Sequence, residues 1–354
     1  MWTNNKTYSE DLDYICGFNN SFIKALDGSV VMVTGATGLI GQTLVNSLLF
    51  ENYYSDNAPT VIAAVRNTDK AGILFKAQMD EFPGKLRIVP GDITEPFDIE
   101  GPVDYIIHGA SQTSSRGFIE TPVETISTAY NGTVNVLELA RRKQVKGMVF
   151  LSTMEVYGYP QKGHKVAEDE IGALTPLTVR NCYPVSKQLC ENLCCSYAHE
   201  YKVPVKIMRL TQTFGPGVVY NDGRVFAEFA RCIIEKKDIV LKTAGLTERC
   251  YLYTADAATA IFTGLISGDS GQAYNAANEE SYCSIAQMAR MAAEMGGTKV
   301  KIESADTSAL GYAGTLYMDL DTSMLRSLGW KAETGLKDMY LRMISCMEKE
   351  EAHS

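Results

Sequence analysis

An unbroken apolar run, Val31-Met32-Val33, leads into Thr34-Gly35-Ala36-Thr37-Gly38-Leu39-Ile40-Gly41, and Leu44, Leu48 and Leu49 then recur at helical spacing. The pattern predicts a buried parallel strand, a glycine turn and a helix. Thr60 to Val65 predicts a second strand, and Met148-Val149-Phe150-Leu151 a further one. A helix is expected from Tyr183-Pro184-Val185-Ser186-Lys187 through Leu189, Leu193 and Tyr197 to about Tyr201. Alternating strand and helix patterns continue to about Leu210 and imply a right-handed, doubly wound parallel sheet. After Phe214-Gly215-Pro216 the pattern loosens into loops and mainly helical pieces. Ahead of the first strand, Leu12, Ile15, Phe22, Ile23 and Leu26 predict a short amphipathic helix, packed on the first domain or on a partner subunit.

The glycine spacing suits a dinucleotide pyrophosphate. Gly35 allows the tight turn, Gly38 the approach of backbone to phosphate, and Gly41 close helix–strand packing. The helix amino terminus then offers free N–H groups to the anion. Tyr183 and Lys187 stand four residues apart on one helical face, with Thr153 thirty residues upstream at a strand end. A free phenol has a pKa of about 10. A nearby ammonium and a positive nicotinamide are expected to lower it, so that Tyr183 takes a proton from a substrate hydroxyl. Thr153 is placed to hydrogen-bond the developing oxyanion.

These motifs resemble the extended short-chain dehydrogenases/reductases, the branch of NAD(P)-dependent epimerases and dehydratases that remodels nucleotide sugars. The resemblance runs from about Ser29 to Ser345 and also rests on Gly91-Asp92, His108-Gly109-Ala110-Ser111, Gly132-Thr133, Ser152 to Gly158, Phe214-Gly215-Pro216, Arg249-Cys250-Tyr251 and Leu328-Gly329-Trp330. It implies an α/β fold, a Rossmann-type doubly wound parallel sheet with a smaller, mainly helical C-terminal substrate lobe. The implied division is an extension at 1–28, a dinucleotide-binding domain at 29–214 with a return segment at about 250–275, and a nucleotide-sugar lobe at 215–249 and 276–354. The implied cofactor contacts are Gly35, Thr37, Gly38, Leu39, Ile40, Arg66, Asp92, Ile93, Ala110, Tyr183 and Lys187. The implied substrate contacts are Ser111, Thr153, Gln212, Arg224 and Arg249, and Lys187 also holds the ribose. Family dimers pair the helix bearing Tyr183, so a homodimer is expected, with Leu189, Leu193 and Tyr197 in its seam or facing the core.

The chain's 354 residues suffice for two lobes around one sheet. With 45% hydrophobic and 21% charged residues it reads as a soluble globular protein, and no apolar run reaches membrane-span length. The start lacks the regions of a signal peptide, and nine cysteines without metal spacing suggest reduced thiols, so a cytoplasmic location is expected. Cys190, Cys194 and Cys195 read as buried small apolar residues, and no metal site is indicated. A formal charge of −9 argues against nucleic acid as a partner.

Arg66 stands after the second strand, where an acidic residue would favour NAD, so NADP(H) is favoured and NAD is possible. The reaction turns on Glu155, at a position where the family's 4,6-dehydratases and uronate decarboxylases carry an acid that works at C5. Met154 cannot donate the proton that dehydration needs. Arg180-Asn181-Cys182-Tyr183, Thr121 to Ile126, Asp222-Gly223-Arg224-Val225 and Arg249-Cys250-Tyr251 resemble stretches of UDP-glucuronate decarboxylases. The expected enzyme therefore oxidises a nucleotide sugar at C4 and then decarboxylates or dehydrates it. A 4-epimerase or 4-ketoreductase and a non-catalytic NADP sensor are the alternatives. Ala129, Gln212, Gly217, Pro184 and Arg66 depart from the decarboxylase pattern.

Overall fold

The computed structural model describes residues 2–18, 22–303 and 315–351. Seven parallel strands form the main sheet: β1 (Val30–Thr34), β2 (Thr60–Val65), β3 (Leu86–Pro90), β4 (Tyr105–His108), β5 (Gly147–Thr153), β6 (Val205–Leu210) and β7 (Ala273–Ala276). Their spatial order is β3-β2-β1-β4-β5-β6-β7. The strands are nearly continuous apolar runs because helices cover both faces. Strand order reverses between β1 and β4, and such a switch point opens a crevice at the carboxyl edge. Register places Thr34 beside His108 and Thr153 beside Leu210, so the turns that follow these strands share that edge.

Eight helices matter here: α1 (Lys6–Gly17), α2 (Leu39–Phe50), α3 (Pro122–Lys143), α4 (Cys182–Tyr201), α5 (Val225–Ile234), α6 (Thr254–Ser267), α7 (Ile285–Gly296) and α8 (Leu336–Glu351). Five further strands, Gln212–Phe214, Glu248–Tyr253, Asn278–Ser284, Tyr317–Leu320 and Lys165–Val166, build a second sheet, and Ile239–Leu241 pairs with Val300–Ile302 in a third. The region after Phe214 thus interleaves helices with three strands of this five-stranded mixed sheet. Short strand pieces separated by turns give little periodic signal, which is why they do not stand out in the sequence. Cys190 and Cys194 are buried, but Cys195 is exposed, a correction to its expected burial. α4 turns that position outward while its neighbours pack toward α3.

The N-terminal helix packs on α2, α6 and α8 of its own chain. Tyr8, Leu12 and Ile15 are fully buried, and the Asn5 side chain caps the first turn by accepting from the Tyr8 amide at 3.2 Å. Asp11 receives the Tyr253 hydroxyl at 2.6 Å and Arg342 Nη2 at 2.6 Å. Tyr14 donates to Asp256 at 2.9 Å. The extension is therefore fastened to the end of a second-sheet strand and to the last helix. Burial pushes the Asp11 carboxyl up to about 6, although Tyr253 and Arg342 pull it down.

A folded-state value above the ordinary carboxylate range makes this group's contribution to stability full below about pH 4. The contribution is lost as pH rises toward 6. Asp11→Asn should remove that slope: the stability difference between wild type and variant, from urea unfolding, should shrink from pH 4 to pH 6 and then level. An unchanged slope in the variant would rule out Asp11 as its source.

Candidate active site

At the end of β1, Gly35 adopts a positive φ of 71°. A Cβ there would lie 2.8 Å from the Ala110 amide, so only glycine lets the turn cross the end of β4. Gly38 caps α2 with no side-chain bond of its own and is exposed. The first-turn amides of Leu39, Ile40 and Gly41 have no acceptor within the helix and face the crevice end. A Cβ on Gly41 would come within 2.1 Å of the Gly35 carbonyl oxygen. Thr37, Leu39 and Ile40 are half-buried around this opening. The Thr34 hydroxyl accepts the Ala110 amide at 3.2 Å and pairs with His108 Nδ1 at 2.7 Å. Burial pushes the His108 imidazole down to about 3, with the Lys187 charge adding to this, so it is neutral.

Arg66 and Asp92 are both exposed, at the ends of β2 and β3. Asp92 accepts the Thr94 amide and hydroxyl at 2.9 Å each. Those bonds, with a smaller contribution from the Arg66 charge, hold its carboxyl below the ordinary range. Ile93 is buried against Gly132, where a Cβ would meet Ile93 Cδ1 at 2.5 Å. This bare, capless helix start beside an exposed arginine fits a dinucleotide, whose pyrophosphate needs amides and close backbone approach.

Tyr183 enters the first turn of α4 and lies beside Thr153 at the end of β5; both are buried. Lys187, one turn on, is also buried and donates to the Leu151 carbonyl at 2.7 Å. Its Nζ lies 4.5 Å from the Phe150 ring centre and 6.0 Å from that of Tyr183. Burial lowers the Lys187 ammonium to about 8. The expected lowering of the Tyr183 pKa is corrected for the chain's own groups. Burial pushes the phenol up, and the Glu155 charge adds to this. The Thr153 hydrogen bond and Arg180 oppose the shift only in part. The physical reason is desolvation of the phenolate, while the lysine is committed to the Leu151 carbonyl.

Glu155 follows Thr153 on a short 3-10 turn and is paired with Arg180, Oε2 to Nη1, at 2.5 Å. The Arg180 guanidinium also lies 5.2 Å above the Phe118 ring. Phe118 in turn stacks on Tyr183, with centroids 4.4 Å apart and planes 9° apart. Phe118 is a site-lining residue that the sequence reading missed. Its one signal is an aromatic residue in the polar stretch after Ser111. A second omission is the ion pair of Glu191, on α4, with Arg209, at 2.7 Å. Ser152 also donates to Glu191, at 2.5 Å, and this ties α4 to β5 and β6.

The remaining candidates divide. Arg249 donates to Gln212 at 3.0 Å, and its buried Nε has no partner among the described residues. Ser111 lies half-buried on the loop after β4 and donates to the Gln112 carbonyl at 3.3 Å. Arg224 is instead exposed and bound to Asp222 at 2.6 Å, with its guanidinium over Phe226. Gly217 has a φ of 98°, which accounts for glycine where an arginine often stands.

Two glycine variants separate packing from ligand approach. Gly41→Ala should cost about 2–3 kcal/mol of stability, because its Cβ would meet backbone. Gly38→Ala, with its nearest contact at 3.3 Å and an ordinary φ of −84°, should change stability by under about 1 kcal/mol. It should weaken dinucleotide binding roughly tenfold, or about 1.4 kcal/mol. Thermal unfolding and cofactor titration would show both, and equal effects of the two on stability would refute the distinction.

A sequence profile described as the NAD dependent epimerase/dehydratase family matches residues 31–277. UDP-glucuronic acid decarboxylase 1 of Xenopus tropicalis is 27% identical over 332 residues, covering 94% of this chain and 75% of that one. UDP-glucuronic acid decarboxylase 6 of Arabidopsis thaliana is 29% identical over 280 residues, with coverage of 78% and 77%. Among solved structures, the dTDP-glucose 4,6-dehydratase of Bacillus anthracis in complex with NAD superposes with a TM-score of 0.74 at 20% identity, covering 92% and 98%. The UDP-glucuronic acid 4-epimerase of Bacillus cereus in complex with NAD does so at 0.71 and 19%, covering 91% and 99%. Among the described residues no helix is long and apolar enough to cross a membrane.

Proposed function

Because the chain belongs to the NAD dependent epimerase/dehydratase family, we propose that it oxidises a nucleotide sugar at C4 and then decarboxylates it, with UDP-glucuronate as substrate. The observation that carries this reading is Glu155: its carboxylate lies two residues beyond Thr153, close enough to Tyr183 to act on its charge, and a guanidinium holds it there. The names of the decarboxylase relatives agree with it.

The α2 amino terminus at Gly38 to Ile40 would hold the dinucleotide pyrophosphate, with Arg66, Asp92 and Ile93 toward the adenosine and Ala110, Tyr183 and Lys187 toward the nicotinamide ribose. When bound, the dinucleotide supplies the two-electron redox chemistry at C4. Tyr183 takes the C4 hydroxyl proton, and Thr153 hydrogen-bonds the C4 oxygen. A C4 ketone makes the C6 carboxylate of a uronate a β-keto acid. Carbon dioxide leaves, and the electron pair passes into the C4 oxygen between Tyr183 and Thr153. C5 of the enolate then takes a proton drawn from solvent and relayed through Glu155, in place of the carbon dioxide lost. Re-reduction at C4 gives UDP-xylose, and earlier release gives the ketone.

Met154 favours decarboxylation over dehydration. Its sulfur accepts the Thr211 hydroxyl at 3.1 Å and it is buried in the second-sheet core, so that position presents no acid to a departing hydroxyl. Arg249 and Gln212 would take the diphosphate, with Ser111 along the sugar, and Arg224 is left aside because Asp222 already satisfies it. The exposed Arg66 favours NADP(H).

The protein would pair through α3 and α4. Val123, Ile126 and Tyr130 form an exposed apolar stripe on α3, and Leu189 is exposed on α4. Leu193 and Tyr197 are half-buried against an inner cluster.

Mass spectrometry of products from UDP-glucuronate, with UDP-glucose as control and NAD or NADP supplied separately, is the direct test. Loss of carbon dioxide from UDP-glucuronate is expected, faster with NADP, and Glu155→Gln should cut turnover roughly 100-fold or more. An unchanged substrate mass would favour a 4-epimerase or 4-ketoreductase instead, and undiminished carbon dioxide release by Glu155→Gln would refute the role given to Glu155. Ile126→Glu should convert a dimer to a monomer in light scattering, and an unchanged mass would refute the proposed seam.

A further inference from the structure

Arg180 precedes α4 on the short turn Val179–Asn181. Its guanidinium lies 5.2 Å from the centre of the Phe118 ring, which itself stacks on Tyr183, and it meets the Glu155 carboxylate at 2.5 Å. The two side chains are 24% and 26% exposed, so a ligand entering the crevice can reach them.

A sugar whose C4 oxygen lies between Tyr183 and Thr153 has C5 one bond from C4 and C6 one bond further. In a uronate, C6 is a carboxylate, and it would arrive beside the carboxylate of Glu155. Two such charges repel in a partly desolvated site unless a cation stands between them. Among the described residues, Lys187 is turned to the Leu151 carbonyl and Arg209 is paired with Glu191. Arg249 donates to the neutral Gln212 and keeps an unpartnered Nε, and is assigned above to the diphosphate. A guanidinium fork also matches two carboxylate oxygens, which a neutral hydroxymethyl group does not offer.

The geometry points to Arg180 as the receptor for the C6 carboxylate, with Glu155 occupying it in the free protein. This rests on the uronate reading above. The substrate carboxylate takes over the fork, and the displaced Glu155 is released toward C5. A neutral hexose leaves the Arg180–Glu155 pair closed. Recognition of the carboxylate and release of the residue that works at C5 are then one event, and Arg180 determines specificity for uronates over hexoses.

Calorimetric titration of the dinucleotide-loaded protein with UDP-glucuronate, UDP-glucose and UDP tests this. Arg180→Gln should weaken UDP-glucuronate binding at least roughly tenfold and leave UDP-glucose and UDP within about twofold. Glu155→Gln, which removes the competing carboxylate, should tighten UDP-glucuronate binding several-fold, an effect of the opposite sign to structural damage. Equal weakening of all three ligands by Arg180→Gln, or no change in UDP-glucuronate affinity, would overturn the assignment. Carbon dioxide release by the wild type is read separately. A protein that prefers UDP-glucuronate through Arg180 yet releases none would overturn decarboxylation and leave the receptor in place.

Discussion

Thr34 joins the two halves of the sheet where their order reverses. Its hydroxyl accepts the Ala110 amide and pairs with His108, so the ends of β1 and β4 are tied at the edge from which both site-forming turns depart. The tie continues from His108 Nε2 to the Thr133 hydroxyl at 3.4 Å, and Thr133 donates to the Ala129 carbonyl at 2.7 Å. Ala129 has no side-chain amide to organise this region. A neutral buried imidazole and backbone carbonyls do so instead, and burial keeps that imidazole uncharged. The crossing is close enough that a Cβ at Gly35 or Gly41 would strike backbone. The glycine turn is thus a consequence of packing before it is a feature of ligand binding.

Desolvation governs the chemistry that can take place on this edge. It raises the Tyr183 phenol and lowers the Lys187 ammonium, so both groups are drawn toward their neutral forms. Formation of the phenolate then depends on compensating positive charge and hydrogen bonding, which Thr153 and Arg180 supply in part. Glu155 works against it, and its pairing with Arg180 moderates that opposition. The Glu191–Arg209 pair lies beneath, one turn beyond Lys187, and anchors the helix that carries both catalytic candidates. Losing either member would leave a buried charge unpaired, a cost of about 3–5 kcal/mol.

The second sheet is held to the first by more than the chain crossovers. α1 lies ahead of β1, and Asp11, Tyr253 and Arg342 join it to a second-sheet strand and to α8. Tyr14 reaches Asp256, which also receives the amides of Glu333 and Thr334. The two ends of the chain thereby brace one another behind the crevice.

Local signals revealed much of this protein. Val31–Val33 with the glycines, Thr60–Val65 and the Tyr183–Lys187 helix are contiguous in the chain, and their periodicity specifies element type without distant partners. Thr153, Tyr183 and Lys187 stood out as candidates by residue type and spacing, and folding brings them together. Tertiary structure alone decided what each charge meets. It set Arg180 on Glu155, Phe118 on Tyr183, Arg224 on Asp222 and Lys187 on the Leu151 carbonyl. It also packed the half-buried Leu193 and Tyr197 against an inner cluster and bound α1 to its own chain. Periodicity is a property of neighbours along the backbone. Ion pairing, burial and the resulting shifts in proton affinity arise between segments far apart in sequence, and only folding brings those segments together.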